Sequence, residues 1–341
     1  MKHLFHYLFI LLIASFFSCT NKSGPGPDTE PGFPELSGPY LGQTPPDSVP
    51  VPFAPGIVST GMFTRDMAIT PDGKEMYFCV AIGNYTYSTI LVTKEIDGKW
   101  TAPEIVPFSG GPGILDFEPA LSPDGNRLYF LSTRPDGDEE PGDQDIWYVD
   151  RMENGEWGTP VNPGAPINTD GGEFFPSVTH NGTLYFTRNP AGSRLNEIYR
   201  SKIVDGAFSE PERLPDQVNC GTTRFNAFVA PDESYMIVPA MGMPDAYDGV
   251  DYYIVFRDEN DSWSEPVNMG AAINNENARG WSPYVSPDGN YFFFMVTKTR
   301  EIDEAKWTYK TLKDLYNSAD NGNADIYWVD AAFIETLRQR N

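Results

Sequence analysis

Five imperfect copies of a unit of about fifty residues predict an all-β fold, because each copy carries short apolar strand runs separated by tight Asp-Gly or Asn-Gly turns. The clearest copy spans residues 116–168. Glu118 to Ser122 enters a Pro-Asp-Gly turn and Arg127 to Ser132 returns from it. Asp145 to Asp150 forms a third strand, and Trp157 leads to a fourth around Pro160 to Asn162. Gly supplies the positive φ such turns require, with Asn and Asp next best. Leu128-Tyr129-Phe130-Leu131 and Ile146-Trp147-Tyr148-Val149 are apolar on both faces of the pleat, so the small sheet must be covered on both sides. The other copies supply that cover.

The first turn returns as Pro71-Asp72-Gly73, His180-Asn181-Gly182, Pro231-Asp232-Glu233 and Pro287-Asp288-Gly289. The second strand returns as EMYFCV, LYFTR, YMIVPA and YFFFMV, and the third as TILVTK, EIYRSK, DYYIVF and DIYWVD. Four antiparallel strands per copy, none able to bury two apolar faces alone, predict a β-propeller. The fifth copy stops at DIYWVD without a fourth strand, whereas residues 50–60, PVPFAPGIVST, resemble the fourth-strand segments TPVNPGAPINT and EPVNMGAAINN although no copy precedes them. An N-terminal strand at residues 51–58 is therefore expected to complete the last blade and close a ring of five. Trp307, Leu312, Leu315 and Tyr316 lie near helical spacing in an insertion of the last copy, and Phe333, Ile334 and Leu337 mark a C-terminal helix. Both helices are expected to pack on the rim.

LSPDGNRLYF with DIWYVD, VSPDGNYFFF with DIYWVD, and ITPDGKEMYF resemble the TolB-type, WD-repeat-like propeller repeats of bacterial envelope proteins, from about Pro52 to Asp330. The resemblance implies the propeller fold and, since this repeat serves scaffolds, binding domains and enzyme accessory domains, little about activity. TolB itself has six blades, which remain possible, but no sixth copy is found here.

Ahead of the repeats, Lys2, the apolar run Leu4 to Phe17 and Ser18-Cys19 resemble a bacterial lipoprotein signal, implying removal of residues 1–18 and lipidation of Cys19. A plain secretory signal is the alternative. Residues 19–50 are rich in Pro, Gly, Ser and Thr and read as a flexible tether, with the propeller domain at 51–341. No later stretch is long enough to span a bilayer. The expected location is the outer membrane, on its periplasmic or cell-surface side, with the lipid as the sole membrane contact.

Lys and Arg number 24 against 48 Asp and Glu, and the net charge of −24 argues against a nucleic-acid partner. Only His180 remains once His3 and His6 leave with the signal, which excludes a multi-histidine zinc site and argues against a Ser-His-Asp triad. Cys79 and Cys220 are expected to be buried free thiols. The loop from Asp136 to Asp145 offers Asp136, Asp138, Asp143 and Asp145 as oxygen ligands for Ca²⁺, but it lacks the Gly and terminal Glu of an EF-hand. A solvated acidic loop explains it, and no cofactor is expected.

Strand direction sorts the loops: tight turns form one smooth face, and the long connections emerge on the opposite, variable face. Aligned on the turns, Arg65-Asp66, Phe117-Glu118, Phe174-Phe175, Phe225-Asn226 and Trp281-Ser282 enter the innermost strands at equivalent places, with Asp116, Glu173, Arg224 and Arg279 just upstream. Carboxylates, arginines and aromatics around a concavity suit polar ligands such as glycans or peptide termini. Arg65, Asp66, Asp116, Glu118, Glu173, Arg224, Asn226, Arg279 and Trp281 are thus the candidate ligand residues, although mutual pairing along a polar channel would also explain them. The sequence reads as a lipid-anchored, non-catalytic propeller binding an envelope protein or glycan. The alternative is a glycoside hydrolase or related carbohydrate-active enzyme, with Asp66, Glu118 and Glu173 as its carboxylates.

Overall fold

The computed structural model describes residues 32–137, 142–247, 249–275 and 277–340. Within the unit that begins at Pro34, each sequence copy forms one antiparallel blade. The first contains Phe63–Ile69, Glu75–Ile82, Tyr87–Ile96 and Glu104–Ile105. In the second, Asp116–Leu121, Arg127–Ser132 and Asp145–Asp150 are joined by a bridge from Tyr148 to Val161 in place of a full fourth strand. The third contains Gly172–Val178, Leu184–Asn189, Glu197–Ser201 and Glu212–Arg213. The fourth has a broken inner strand, Thr223–Arg224 then Phe228–Val229, followed by Tyr235–Met241, Val250–Phe256 and Val267–Asn268.

Blade five closes the ring. Tyr284–Val285, Tyr291–Thr299 and Asn321–Asp330 are completed by Val51–Pro52, with Val51 opposite Trp328 and Pro52 opposite Tyr327. The Phe53 N–H donates to the Ile326 carbonyl at 2.8 Å, and the Ser59 hydroxyl donates to the same carbonyl at 2.9 Å. Ser59 supplies for this blade the donating half of what asparagines do in three others. Asn168, Asn219 and Asn274 each accept from and donate to the backbone of Ile198's counterparts at the third-strand entry: Ile146, Ile198 and Tyr252 respectively. The likeness of residues 50–60 to the other fourth-strand segments therefore has a physical basis. Five blades are present among the described residues, as the repeat count implies.

Apolar packing between blades explains the two-faced strands. Tyr252 of blade four meets Phe292 and Phe294 of blade five at ring-centroid distances of 5.8 and 5.9 Å. Trp157 of blade two donates its Nε1–H to the Tyr77 hydroxyl of blade one at 2.9 Å. Each such contact removes both partners from water without opening a void. Cys79 and Cys220 are buried free thiols, as expected.

Two segments differ from their sequence reading. Residues 36–47, assigned by composition to the tether, are docked: Leu41 is fully buried, the Trp100 indole donates to the Gly38 carbonyl at 2.8 Å, and the Tyr40 ring packs on Tyr291 and Trp328. Leu36, Tyr40 and Leu41 among the prolines and glycines suffice to pin the segment, so average composition misled. The helix α1 (Tyr309–Tyr316) forms in the blade-five insertion, capped by the Thr308 hydroxyl, but none of its residues is buried. It does not pack its apolar face on the rim. The helix α2 (Phe333–Arg338) does, burying Ile334 and Leu337 beside Phe292 and Phe256.

Candidate functional site

A left-handed residue interrupts the inner strand of every blade. Asp66, Glu118, Phe175, Asn226 and Ser282, at equivalent places in the five copies, have φ between 50° and 61°. The register of the first three inner strands slips there, and in blade four the strand breaks. A bulge re-aims the side chains beside it. Here it turns one residue per blade toward the ring axis.

The resulting waist is bonded across the channel. Arg65 makes ion pairs with Asp66 at 2.9 Å and with Glu118 at 2.7 Å. The Ser282 hydroxyl donates to Asp66, as does the Glu118 N–H at 3.3 Å. Glu118 also accepts from the Phe175 N–H at 2.7 Å and from the Asn226 side-chain amide at 3.3 Å. The last bond joins blades two and four, which are not neighbours. Asp66 and Glu118 are only 2 % and 5 % exposed. Burial, reinforced by the nearby Asp66 charge, outweighs the attraction of Arg65 and pushes the Glu118 carboxyl up to about 7. Arg65 is held charged by its two carboxylates against the pull of burial.

The waist separates two cavities that share Glu118. On the smooth face a chamber of about 320 Å³ is lined mainly by prolines and apolar side chains, with Asp66 and Ser282 at its floor and His180 at its rim. On the variable face the mouth has a volume of about 470 Å³. Its walls are Phe117, Phe174, Phe225 and Trp281, with Tyr85 contributed by the loop between the second and third strands of blade one. The Arg65 guanidinium lies 5.6 Å from the Phe117 ring centroid and 5.8 Å from that of Trp281. Gln144 and Asn196, each just before a third strand, add side-chain amides.

The nine candidate residues thus divide. Arg65, Glu118, Asn226 and Trp281 line the mouth, and Asp66 lies at the waist facing the other chamber. Asp116 and Glu173 are fully buried inside their blades. Asp116 pairs with Arg134 at 2.8 Å and accepts from the Gly110 N–H, while Glu173 pairs with Arg188 at 2.8 Å and accepts from Thr169. Arg134 and Arg188 donate on to the carbonyls of Phe108, Pro166 and Ile167. Arg224 does the same work without a carboxylate, donating to the carbonyls of Cys220, Gly221 and Asn196. All three tie the crossover from the preceding blade to the new inner strand. Arg279 is exposed and stands outside the mouth lining. Tyr85, Gln144 and Asn196 escaped the sequence reading because the long loops carrying them have no common pattern to align.

Among the described residues no cluster of three or more His, Cys, Asp or Glu side chains is placed to hold a metal ion. Asp136 and Asp143 are exposed. Asp145 accepts from Asn162 at 3.1 Å and is pushed up to about 6 by burial and by Asp143. Asp138 and Cys19 lie outside the described residues. No described helix is long and apolar enough to cross a membrane.

No protein-family model matches the chain, and no curated protein does. Among solved structures it is similar to TolB from Acinetobacter baumannii, with 16% identity and a TM-score of 0.46, over 79% of this chain and 57% of that one. It thus spans little more than half the length of TolB. It is also similar to native arabinanase from Bacillus subtilis, with 11% identity and a TM-score of 0.47, over 80% of this chain and 95% of that one. Puromycin hydrolase matches at 11% identity and a TM-score of 0.41, over 69% of this chain and 34% of that one.

Proposed function

We propose that the chain is a non-catalytic binding propeller of the bacterial envelope, held at the outer membrane by lipid on Cys19, and that its variable-face mouth receives a protein or glycan partner. The saturation of the waist carries this reading. Each carboxylate oxygen of Asp66 and Glu118 already has a protein partner, so neither group is free to activate water or protonate a leaving group. Glu173, the third carboxylate a hydrolase reading would enlist, is spent inside blade three. Above the waist stand aromatic walls, with Phe117 and Phe174 on inner strands and Phe225 and Trp281 beside the inner strands of the next two blades, an arrangement that lowers the ordering cost of binding.

One observation favours the enzyme reading: a carboxyl pushed up to about 7 is in the range of a general acid at neutral pH. The test is common to both. Wild type and Trp281→Ala are compared for binding to a glycan array and to purified envelope proteins, and wild type and Glu118→Gln for glycan hydrolysis. Binding that falls about tenfold in Trp281→Ala supports the mouth. Undiminished binding removes it, and turnover lost in Glu118→Gln replaces the binding reading with the catalytic one. The anchor is checked separately, since Cys19→Ala should leave the membrane fraction.

A further inference from the structure

A second depression, of about 700 Å³, opens on the variable face between blade one and the insertion of blade five. Phe63, Ile82, Asn84, Tyr85, Tyr316 and Asn323 define it, and no charged side chain is among its lining. In a chain with a net charge of −24 that neutrality is a local property of the groove. Tyr85 belongs to both the groove and the mouth. Its ring meets Phe63 at 5.4 Å on one side and Phe117 at 5.5 Å on the other. Groove and mouth meet at that ring.

The outer wall is held firmly. Asn321 and Asn323 donate side-chain N–H groups to the Gly61 carbonyl at 3.0 and 2.9 Å. A Cβ on Gly61 would fall 2.2 Å from the Tyr316 carbonyl oxygen, so this close approach needs glycine. On that support Tyr316 is 71% exposed, and Tyr309 and Trp307, outside the groove lining in the same insertion, are 82% and 65% exposed. Core packing does not account for aromatics so exposed on so fixed an element.

We propose that the groove binds a neutral oligosaccharide chain whose leading end occupies the mouth, an inference that rests on the mouth being a ligand site. Flat rings match the CH faces of sugar rings, and side-chain amides offer the adjacent donor and acceptor that neighbouring hydroxyls require. Asn84 supplies such an amide in the groove and Gln144 in the mouth; Asn323 adds its amide oxygen to the first and Asn196 its amino group to the second. A neutral lining imposes no desolvation cost for unpaired charge on an uncharged ligand. An extended peptide would look instead for a run of free strand edge. The groove offers strand ends already paired at Phe63 and Ala81, a loop and a helix end.

The experiment is calorimetric titration of the full chain with neutral gluco-, xylo- and manno-oligosaccharides of two to six units. At least one series should bind more tightly as it lengthens. Tyr316→Ala should weaken the longest member about fivefold and leave the shortest unchanged. Tyr316→Phe should restore the loss, and Trp281→Ala should weaken long and short alike. Equal affinity of wild type and Tyr316→Ala for the longest member overturns the groove. Loss confined to Trp281→Ala then leaves the mouth standing. Binding of charged glycans or peptides alone overturns the neutral-chain assignment, and insensitivity of a bound series to both variants overturns mouth and groove together.

Discussion

Two partial rings of polar residues lie two positions apart in sequence, one in blades two to four and the other in blades one, two, four and five, and they do opposite work. Asp116, Glu173 and Arg224 precede the bulge and turn into the blades, where they fasten crossovers. Glu118 and Asn226, at the bulge itself, turn to the axis with Asp66 and Ser282 and bond to one another across it. In a regular strand residues two apart share a face. The left-handed residue breaks that rule once per blade, and so separates scaffold charge from channel charge. Composition alone cannot make the distinction, because both rings draw on the same residue types.

Removing a crossover fastener should have the largest effect. Asp116→Ala leaves Arg134 largely buried without its partner, and strands the Gly110 N–H and the Ser132 hydroxyl. Breaking a buried pair on one side costs about 3–5 kcal/mol. Chemical denaturation should show the unfolding free energy falling by that amount, through a lower midpoint at unchanged slope. Trp281→Ala, in the mouth, should move it by less than about 1 kcal/mol. Equal losses would erase the distinction between the rings.

Arg224→Ala tests whether a lone arginine is an equal fastener. Three carbonyls lose a charged donor, at 2.9, 2.7 and 3.2 Å. Bonds to charged groups contribute about 1.5–3 kcal/mol, but carbonyls near the surface regain water, so a loss of about 2–3 kcal/mol is expected in the same denaturation assay. A loss matching that of Asp116→Ala would mean the carboxylate in the other blades adds nothing to the fastening.

The fold was legible because the information is repeated. LSPDGNRLYF and VSPDGNYFFF each specify strand, turn and strand, and PVPFAPGIVST at the wrong end of the chain could find its partner only in blade five. The candidate site was half legible. Alignment on the turns brought Arg65, Glu118, Asn226 and Trp281 to one level, where the structure places them. It could not separate Asp116 or Glu173 from them, since the bulge that does so is a backbone conformation. Its one sequence trace is the proline after Glu118, Phe175 and Ser282, a residue tolerated at bulges and edges but not within a central strand. The two helices show the complementary limit. Apolar residues near helical spacing predict both, but whether a helical face meets a partner is decided by the surface opposite it. For α2 that surface is Phe292 and Phe256; for α1 the described residues supply none that buries it.

The smallest expected effect separates the rings by pH. Burial raises the Glu118 carboxyl from the ordinary 4.5 to about 7 in the folded chain. Between those values the folded state holds a proton that the unfolded state has released. Stability from this group is therefore fully present below about 4.5 and is lost as pH rises through about 7. Glu118→Gln abolishes the titration and keeps an acceptor for one side only, the Phe175 N–H or the Asn226 amide, a loss that is the same at every pH and drops out of the pH dependence. Wild type minus Glu118→Gln stability, from denaturant midpoints at pH 5 and pH 8, should be higher at pH 5 by up to about 2 kcal/mol. Asp325, pushed up to about 7 by burial, and Asp145 titrate in the same direction but are common to both proteins and cancel in the difference. A pH-independent difference would mean that Glu118 ionises as an ordinary exposed carboxylate. The waist would then be open to water, and the contrast between a bonded channel ring and a buried blade ring would lose its first member.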